Sequence, residues 1–143
     1  MENLENIVPT MIGQHRVLQK DLGAALELVT SEASDIKNII NNLEKFSIDL
    51  PEHLQLENGV FYPNLISKMK ERNIDTAKTE DFINQMKEIG VVIMAFLDKY
   101  KAETDIESQL EVFKEELASV VSALNLRVES EESGVYGYWE IYQ

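Results

Sequence analysis

The sequence predicts an all-α protein, an up-down-up-down bundle of four helices. Apolar residues recur with a period close to 3.6 residues in four segments of roughly 20–35 residues each, which is the pattern of amphipathic helices. Short polar turns separate these segments, and no alternating strand pattern competes with them. The 143 residues include three prolines and six glycines, too few for an all-β protein rich in tight turns. This length suits one domain, residues 1–143, with one core.

The first helix is predicted to begin near Val8 and to end near Thr30 or Ser31. Pro9 suits a first helical position, where its missing N–H group has no partner to lose. His15 falls on the apolar stripe of this helix, so its imidazole should point inward.

The second helix carries a histidine and a carboxylate on its apolar stripe. Ser34 or Asp35 can cap its start. His53 and Glu57 are four residues apart and therefore share one face. Pro51 should kink the helix, or break it for a turn, just before this pair. Because burying such groups bare costs several kcal/mol, they must be paired, hydrogen-bonded or bound to a metal.

A further helical turn or two is expected after Pro63, closing at residues 72–75. The third helix should start between Thr76 and Thr79 and reach Tyr100. Acidic residues in its first turn favour a helix N-terminus there. A turn is predicted at residues 103–105.

The fourth helix should run from about Ile106. Two charged residues, Arg127 and Glu131, fall on its core-facing positions and are four residues apart, like His53 and Glu57. The following residues, 134–143, are rich in aromatic side chains, which should pack on the end of the bundle.

The two halves of the chain form a weak internal repeat. The second and fourth helices align on their glutamates, and the first and third align on the spacing of their apolar residues. The first half has imidazoles where the second has a hydroxyl and a guanidinium. The aligned pairs are His15 with Thr79, His53 with Arg127, and Glu57 with Glu131.

This arrangement resembles the hemerythrin-like family, whose domains are also described by a His-His-Glu (HHE) cation-binding motif. The resemblance covers most of the chain. It implies a four-helix bundle around a non-haem di-iron centre held by histidines and two bridging carboxylates, which binds dioxygen or serves sensing, storage or redox roles. The residues that carry it are His15, the pair His53 and Glu57 followed by Phe61-Tyr62-Pro63, and Glu131-Glu132 followed by Tyr136.

The resemblance also implies a ligand set, which this chain fills only in part. His15, His53 and Glu57 match ligand positions, and Glu131 matches the second bridging carboxylate. Since the chain has two histidines, the full histidine set of the family is not present. The positions of the lost ligands are those of Thr79 and Arg127.

Three interpretations follow. In the first, one Fe(II), Mn(II) or Zn(II) ion binds to His15, His53, Glu57 and Glu131, with Arg127 in the space of a lost second ion. In the second, no metal binds, and the arginine pairs with both glutamates in a buried network that the histidines complete. In the third, these polar residues face water.

The function predicted is that of a non-catalytic metal-binding domain with a degenerate, mononuclear site, iron being the first choice of metal. It would sense or store metal, oxygen or an oxidant. The alternative is a metal-free bundle that acts as an interaction or regulatory module. An iron oxidase or peroxide-handling enzyme is a weaker option. Tyr62 and Tyr136 could donate hydrogen bonds to the site, but core packing with the hydroxyl at the rim is the preferred interpretation.

Composition limits the partners. The absence of cysteine excludes disulfides, thiolate metal sites and cysteine nucleophiles. A net charge of −13 makes nucleic acid and anionic lipid unfavourable partners, whereas a protein partner or a homo-oligomer stays open. The longest apolar run, residues 89–97, is shorter than the about 20 residues of a membrane-spanning helix. No secretory signal precedes Val8, so a cytoplasmic location is expected.

Overall fold

The computed structural model of the protein describes residues 4–31 and 35–143, and within these ranges it contains helices and no strand. The predicted all-α fold is confirmed. A short 3-10 turn, Leu4–Asn6, precedes the first helix, and a π-helical segment, Glu57–Phe61, joins the second to the third. The α-helices are α1 (Ile7–Thr30), α2 (Ile36–Leu56), α3 (Tyr62–Glu71), α4 (Ala77–Lys99), α5 (Glu103–Glu107), α6 (Leu110–Ser133) and α7 (Val135–Tyr142).

The four long helices enclose a common core. Helix α1 packs against α2 and α6, and α4 packs against the same two neighbours, so the contacts close into a ring. Each helix turns its apolar stripe into this ring, as the 3.6-residue period requires. Among the described segments, none of the helices is both long enough and apolar enough to cross a membrane.

The core consists of two apolar clusters with polar side chains between them. The larger cluster includes Leu18, Leu50 and Val128. The smaller includes Met11 and Phe61, with residues of α3 and α7. Along α1, the segment between Met11 and Leu18 holds a buried histidine, and α2 and α6 place buried polar groups at the same level, in contact with it. We call this level the polar layer.

The starts of the first two helices lie close to their predicted places. Helix α1 begins at Ile7, one residue early, so Pro9 is its third residue and still in the first turn, where backbone N–H groups have no intrahelical acceptor. Asp35 caps α2, because its side-chain oxygen accepts a hydrogen bond of 3.2 Å from the backbone N–H of Asn38. The alternative cap, Ser34, lies outside the described residues.

Of the two outcomes predicted at Pro51, the break is wrong, and the kink stays a prediction. Helix α2 continues through Pro51 to Leu56, and the backbone departs from α-geometry only afterwards, in the π-helical segment. There the N–H of Tyr62 donates to the carbonyl of Glu57, five residues earlier. The buried residues on both sides of Pro51 hold that turn in the helix, whereas Pro63 has no N–H with which to continue a regular ladder.

Two further differences concern the second half. Residues 103–105 form the start of the short helix α5 rather than a turn, because the Asp105 carboxylate accepts the backbone N–H of Ala102. Ile106 is buried in α5, and the last long helix begins later, at Leu110. The aromatic tail forms α7, and its Trp139 packs edge-on against Phe61, as predicted for the bundle end.

Candidate metal centre

Four potential metal ligands meet in the polar layer. Helix α1 supplies His15, α2 supplies His53, the π-helical segment supplies Glu57 and α6 supplies Glu131. All four are buried, and one ligand atom from each lies within 4.8 Å of the others. The structure therefore brings together the four residues that the sequence analysis selected, and their role as ligands stays a prediction.

The spacing of these atoms suits a single ion. His15 Nε2 lies 3.1 Å from His53 Nε2 and 3.4 Å from Glu131 Oε1. His53 Nε2 lies 3.4 Å from Glu57 Oε2. Ligands bound at about 2.0–2.2 Å from one cation are about 3.0–3.5 Å apart in tetrahedral or octahedral geometry. The donor atoms fit one cation with little movement.

The Nδ1 atoms of the two histidines face away from the centre, and their hydrogen bonds fix the orientation of the Nε2 atoms, which face the centre. His15 Nδ1 is 2.8 Å from the Glu132 carboxylate, and His53 Nδ1 is 2.7 Å from the side-chain oxygen of Gln14. Both partners are acceptors, so each Nδ1 carries the proton and each Nε2 directs a lone pair into the centre. Burial lowers the pKa of His15, which favours its neutral form. Arg16 donates a hydrogen bond to the Glu132 carboxylate and helps to keep that carboxylate ionised.

Arg127 supplies a permanent positive charge beside both carboxylates. Its Nη2 donates to Glu57 Oε1 at 2.5 Å, and its Nε lies 3.4 Å from Glu131 Oε1. Its Nη1 donates to the backbone carbonyl of Met86 at 2.8 Å. Gly90, one turn further along α4, leaves room for this guanidinium, since a Cβ there would lie 2.8 Å from Nη1. The predicted pairing of Arg127 with both glutamates is present.

Two tyrosines complete the hydrogen bonds of the carboxylates. Tyr136 Oη donates to Glu57 Oε2 at 2.6 Å and lies 3.1 Å from His15 Nε2. Tyr62 Oη donates to Glu131 Oε2. Both side chains are buried, so the preferred prediction that their hydroxyls sit at the rim is wrong. The signal was present in the sequence, because the two tyrosines occupy equivalent places in the internal repeat.

The two carboxylates titrate in opposite directions. Burial and the negative charge of Glu57 raise the pKa of Glu131 to about 9. Burial opposes ionisation of Glu57 as well, but its contacts with His53 and Glu131 and the charge of Arg127 lower its pKa well below the ordinary value. At neutral pH, without a metal, one ionised carboxylate therefore balances the guanidinium.

The interpretation in which these polar residues face water is wrong, since the two histidines, the two glutamates and Arg127 are at most 3% exposed. Thr79 is also buried, in α4, but the hydrogen bonds that join the centre run between the other residues. Sequence reasoning did not select Gln14, Glu132 or Gly90 for the centre. Glu132 was visible as part of the Glu-Glu motif, and the other two had no signal of their own.

Gln14 and Glu132 each lie between a histidine of the centre and a surface groove. Gln14 lines a groove of about 330 Å³ between α1 and α2. Glu132 lines another, of about 480 Å³, between α1 and α6. Since each of these residues bonds directly to a histidine of the centre, a small ion or molecule in either groove is one side chain away from the imidazoles.

Comparison with known proteins agrees with this geometry. The family model of the hemerythrin HHE cation-binding domain matches residues 6–139, nearly the whole chain. Comparisons with curated proteins and with solved structures give no match. The helical bundle, the buried His/Glu group and the extent of the family match together show that the chain belongs to the hemerythrin HHE cation-binding domain family.

Proposed function

We propose that the protein binds a single divalent cation, with iron as the first candidate, through His15, His53, Glu57 and Glu131. One observation carries the proposal. The two Nε2 atoms are 3.1 Å apart, while each outer nitrogen is committed to an oxygen acceptor. Two lone pairs at that distance repel each other unless a cation lies between them. A proton could serve, but burial disfavours the charged form of His15, so a metal ion is the better occupant.

The stoichiometry of one follows from Arg127. Its guanidinium already neutralises the carboxylate oxygens that would otherwise face a second ion. On the neighbouring helix α4, the backbone carbonyl of Met86 accepts a hydrogen bond from it and Gly90 leaves room for it. A second cation would have to displace a buried, fixed positive charge, which is unfavourable at short range. The site proposed is therefore mononuclear.

The donor set of two imidazoles and two carboxylates suits Fe(II), Mn(II) or Zn(II). Bound iron would supply reversible redox chemistry and an open position for a small ligand such as dioxygen. The protein residues would orient the imidazoles, hold a proton on Tyr62, and exclude bulk water. A role in sensing or storing metal, oxygen or an oxidant fits such a site, and no catalytic group beyond it is needed.

A second function is supported by the completeness of the network without metal. In the described part of the chain, both glutamates accept from Arg127 and from a tyrosine, and their opposite pKa shifts bring the inner group to charge balance. A buried polar group whose hydrogen bonds and charges are satisfied in this way can serve as part of a structural core. The protein would then be a metal-free interaction or regulatory module.

Elemental analysis separates the two. Protein purified without chelators, and then reconstituted anaerobically with ferrous iron, should contain one ion per chain. His53→Ala should lose the ion, whereas Gln55→Ala, an exposed change on the same helix, should keep it. Absence of metal under both conditions, with His53→Ala losing stability alone, would overturn the metal proposal in favour of the network.

A further inference from the structure

We infer that the hydroxyl oxygen of Tyr136 is a fifth donor to the same cation. This inference rests on the proposed function and goes beyond its four ligands. Tyrosine is not part of the His/Glu ligand set that the family resemblance implies. The reasons lie in the position of this side chain among the donor atoms.

Tyr136 Oη is as close to the ligand atoms as they are to one another. It lies 2.6 Å from Glu57 Oε2 and 3.1 Å from His15 Nε2. The corresponding distance between the two Nε2 atoms is 3.1 Å, and that between His53 Nε2 and Glu57 Oε2 is 3.4 Å. The four atoms thus form a closed quadrilateral whose sides match, or fall just below, the spacing of ligands around one ion. An ion that touches three of them lies within reach of the fourth.

The ring of Tyr136 cannot easily move this oxygen away. It stacks on the His15 ring with centroids 5.5 Å apart and an interplanar angle of 15°. Phe61 packs against the Tyr136 ring in an edge-to-face arrangement, at 5.2 Å and 86°. With the side chain only 2% exposed, the hydroxyl is held at the centre by packing as well as by its hydrogen bond.

Tyr62 is placed differently, although it is the counterpart of Tyr136 in the repeat. Its hydroxyl donates to Glu131 Oε2, whereas the contact of Glu131 with His15 is made by the other oxygen, Oε1. Its ring packs at a tilt against Phe61, with an interplanar angle of 50°, rather than on an imidazole. Tyr62 therefore orients a ligand from the far side of the carboxylate, and Tyr136 faces the ion itself.

The charge of a bound divalent ion permits the same assignment. With neutral imidazoles, the two glutamates and Arg127 sum to one negative charge, so a divalent ion leaves one positive charge in a buried site. A bound phenolate cancels it, which reduces the cost of burying the ion. On binding, the O–H bond of Tyr136 breaks heterolytically: the oxygen keeps the electron pair and the proton passes to solvent, as ligand protons do at other metal sites. No electron is transferred in this step.

Ferric iron is the probe, because a phenolate bound to it gives a visible charge-transfer band that imidazole and carboxylate do not. Protein loaded with ferrous iron and oxidised with ferricyanide should be coloured. Tyr136→Phe should lose the band while elemental analysis still finds iron. Tyr100→Phe, a buried tyrosine that bonds to Glu116 outside the centre, is the matched control and should keep the colour.

A second measurement needs no substitution. Resonance Raman spectra excited in the band should show tyrosinate ring modes that shift when the unmutated protein is made with ring-deuterated tyrosine. Iron bound without a visible band, a band without these modes, or a band that Tyr62→Phe removes and Tyr136→Phe does not, would overturn the inference while leaving the proposed metal site intact. Failure to bind iron at all would instead overturn the proposed function.

Discussion

At the scale of single residues, the two buried glutamates of the centre make the stability of the protein depend on pH. Glu131 has a folded-state pKa of about 9 against an ordinary value of 4.5. A group whose pKa is raised on folding contributes stability that is fully present below pH 4.5 and is lost as pH rises towards about 9, because only the folded state then holds the proton. Glu57, whose pKa is lowered, acts in the opposite sense at acid pH.

Glu131→Gln tests the sign of this effect. A glutamine has the shape of the protonated carboxyl and cannot ionise, so the variant should not show the loss of stability that Glu131 causes as pH rises. In chelator-treated protein, the free energy of unfolding of wild type should fall relative to that of Glu131→Gln as pH rises from 4.5 to about 9. Urea unfolding at several pH values measures this difference in the free energy of unfolding. Glu129→Gln, a change at an exposed position on α6, is the control. Parallel pH curves for wild type and Glu131→Gln would contradict the assignment.

Arg127→His should expose the role of the guanidinium. Without it, Glu57 is a buried charge that lacks its guanidinium partner, and the metal-free protein should lose about 3–5 kcal/mol of stability. A metal ion can replace the missing positive charge, and the new imidazole adds a ligand. We therefore expect zinc to restore most of the loss and the stoichiometry to rise from one ion to two.

Urea unfolding with and without zinc, together with elemental analysis, follows both effects of Arg127→His. Arg72→His, an exposed change whose guanidinium bonds to backbone carbonyls outside the centre, controls for the substitution itself. An unchanged stoichiometry combined with unchanged stability would show that Arg127 does not stand in for an ion.

At the scale of helices, the approach of α6 to α4 depends on a missing side chain. Gly90 lies on α4 where a Cβ would be 2.8 Å from Arg127 Nη1. Alanine normally stabilises a helix interior relative to glycine by about 0.5–1 kcal/mol. In Gly90→Ala the clash should outweigh this gain, because the guanidinium must shift away from the Met86 carbonyl.

Gly23→Ala is the matched comparison. Gly23 lies within α1, and a Cβ there meets no atom within 4 Å. This variant should gain the usual about 0.5–1 kcal/mol, whereas Gly90→Ala should lose stability, measured by thermal or urea unfolding. Equal gains in the two variants would show that the guanidinium yields without cost.

Helix periodicity also decides how much of this molecule the sequence could reveal. His15, His53, Glu57, Arg127 and Glu131 were placed inward correctly because each lies in, or directly after, a long helix with an apolar stripe, so the side on which it lies follows from its neighbours. The side of a helix on which a residue lies follows from the sequence of that helix alone and needs no knowledge of the partner helix. That is why the centre could be assembled from sequence.

Features set by distances between helices could not be found in this way. The position of Arg127 next to Gly90 depends on how closely α4 and α6 approach each other. The hydrogen bond between His53 and Gln14 depends on how α1 and α2 are offset. The depth of Tyr62 depends on the π-helical segment before it, which propensities do not predict. The break at Pro51 was predicted wrongly for a related reason: tertiary packing keeps this turn helical against the local preference of proline.

At the scale of the whole molecule, the polar layer divides the apolar core, so its occupancy should control global stability. An ion that binds the folded state alone stabilises it by about 2.7 kcal/mol at a hundredfold excess over Kd. For a chain of this size, about 2–4 °C per kcal/mol gives a rise in Tm of about 5–11 °C.

Thermal unfolding with ferrous iron under argon, or with zinc, tests this linkage, and excess chelator should reverse the rise. His53→Ala should show no rise, since it lacks a ligand from the centre of the layer. A rise of equal size in wild type and His53→Ala would place the ion elsewhere on the acidic surface, which carries a net charge of −13.

The chain contains two histidines, and both lie in the polar layer. Every imidazole resonance in a nitrogen-15 NMR spectrum therefore originates at the centre, with no surface histidine to subtract. The two Nδ1 protons, held by Glu132 and Gln14, should exchange slowly with solvent and appear as separate downfield lines. The protein thus carries a built-in spectroscopic label, whose few lines report tautomer, protonation and occupancy of the centre from one uniformly labelled sample.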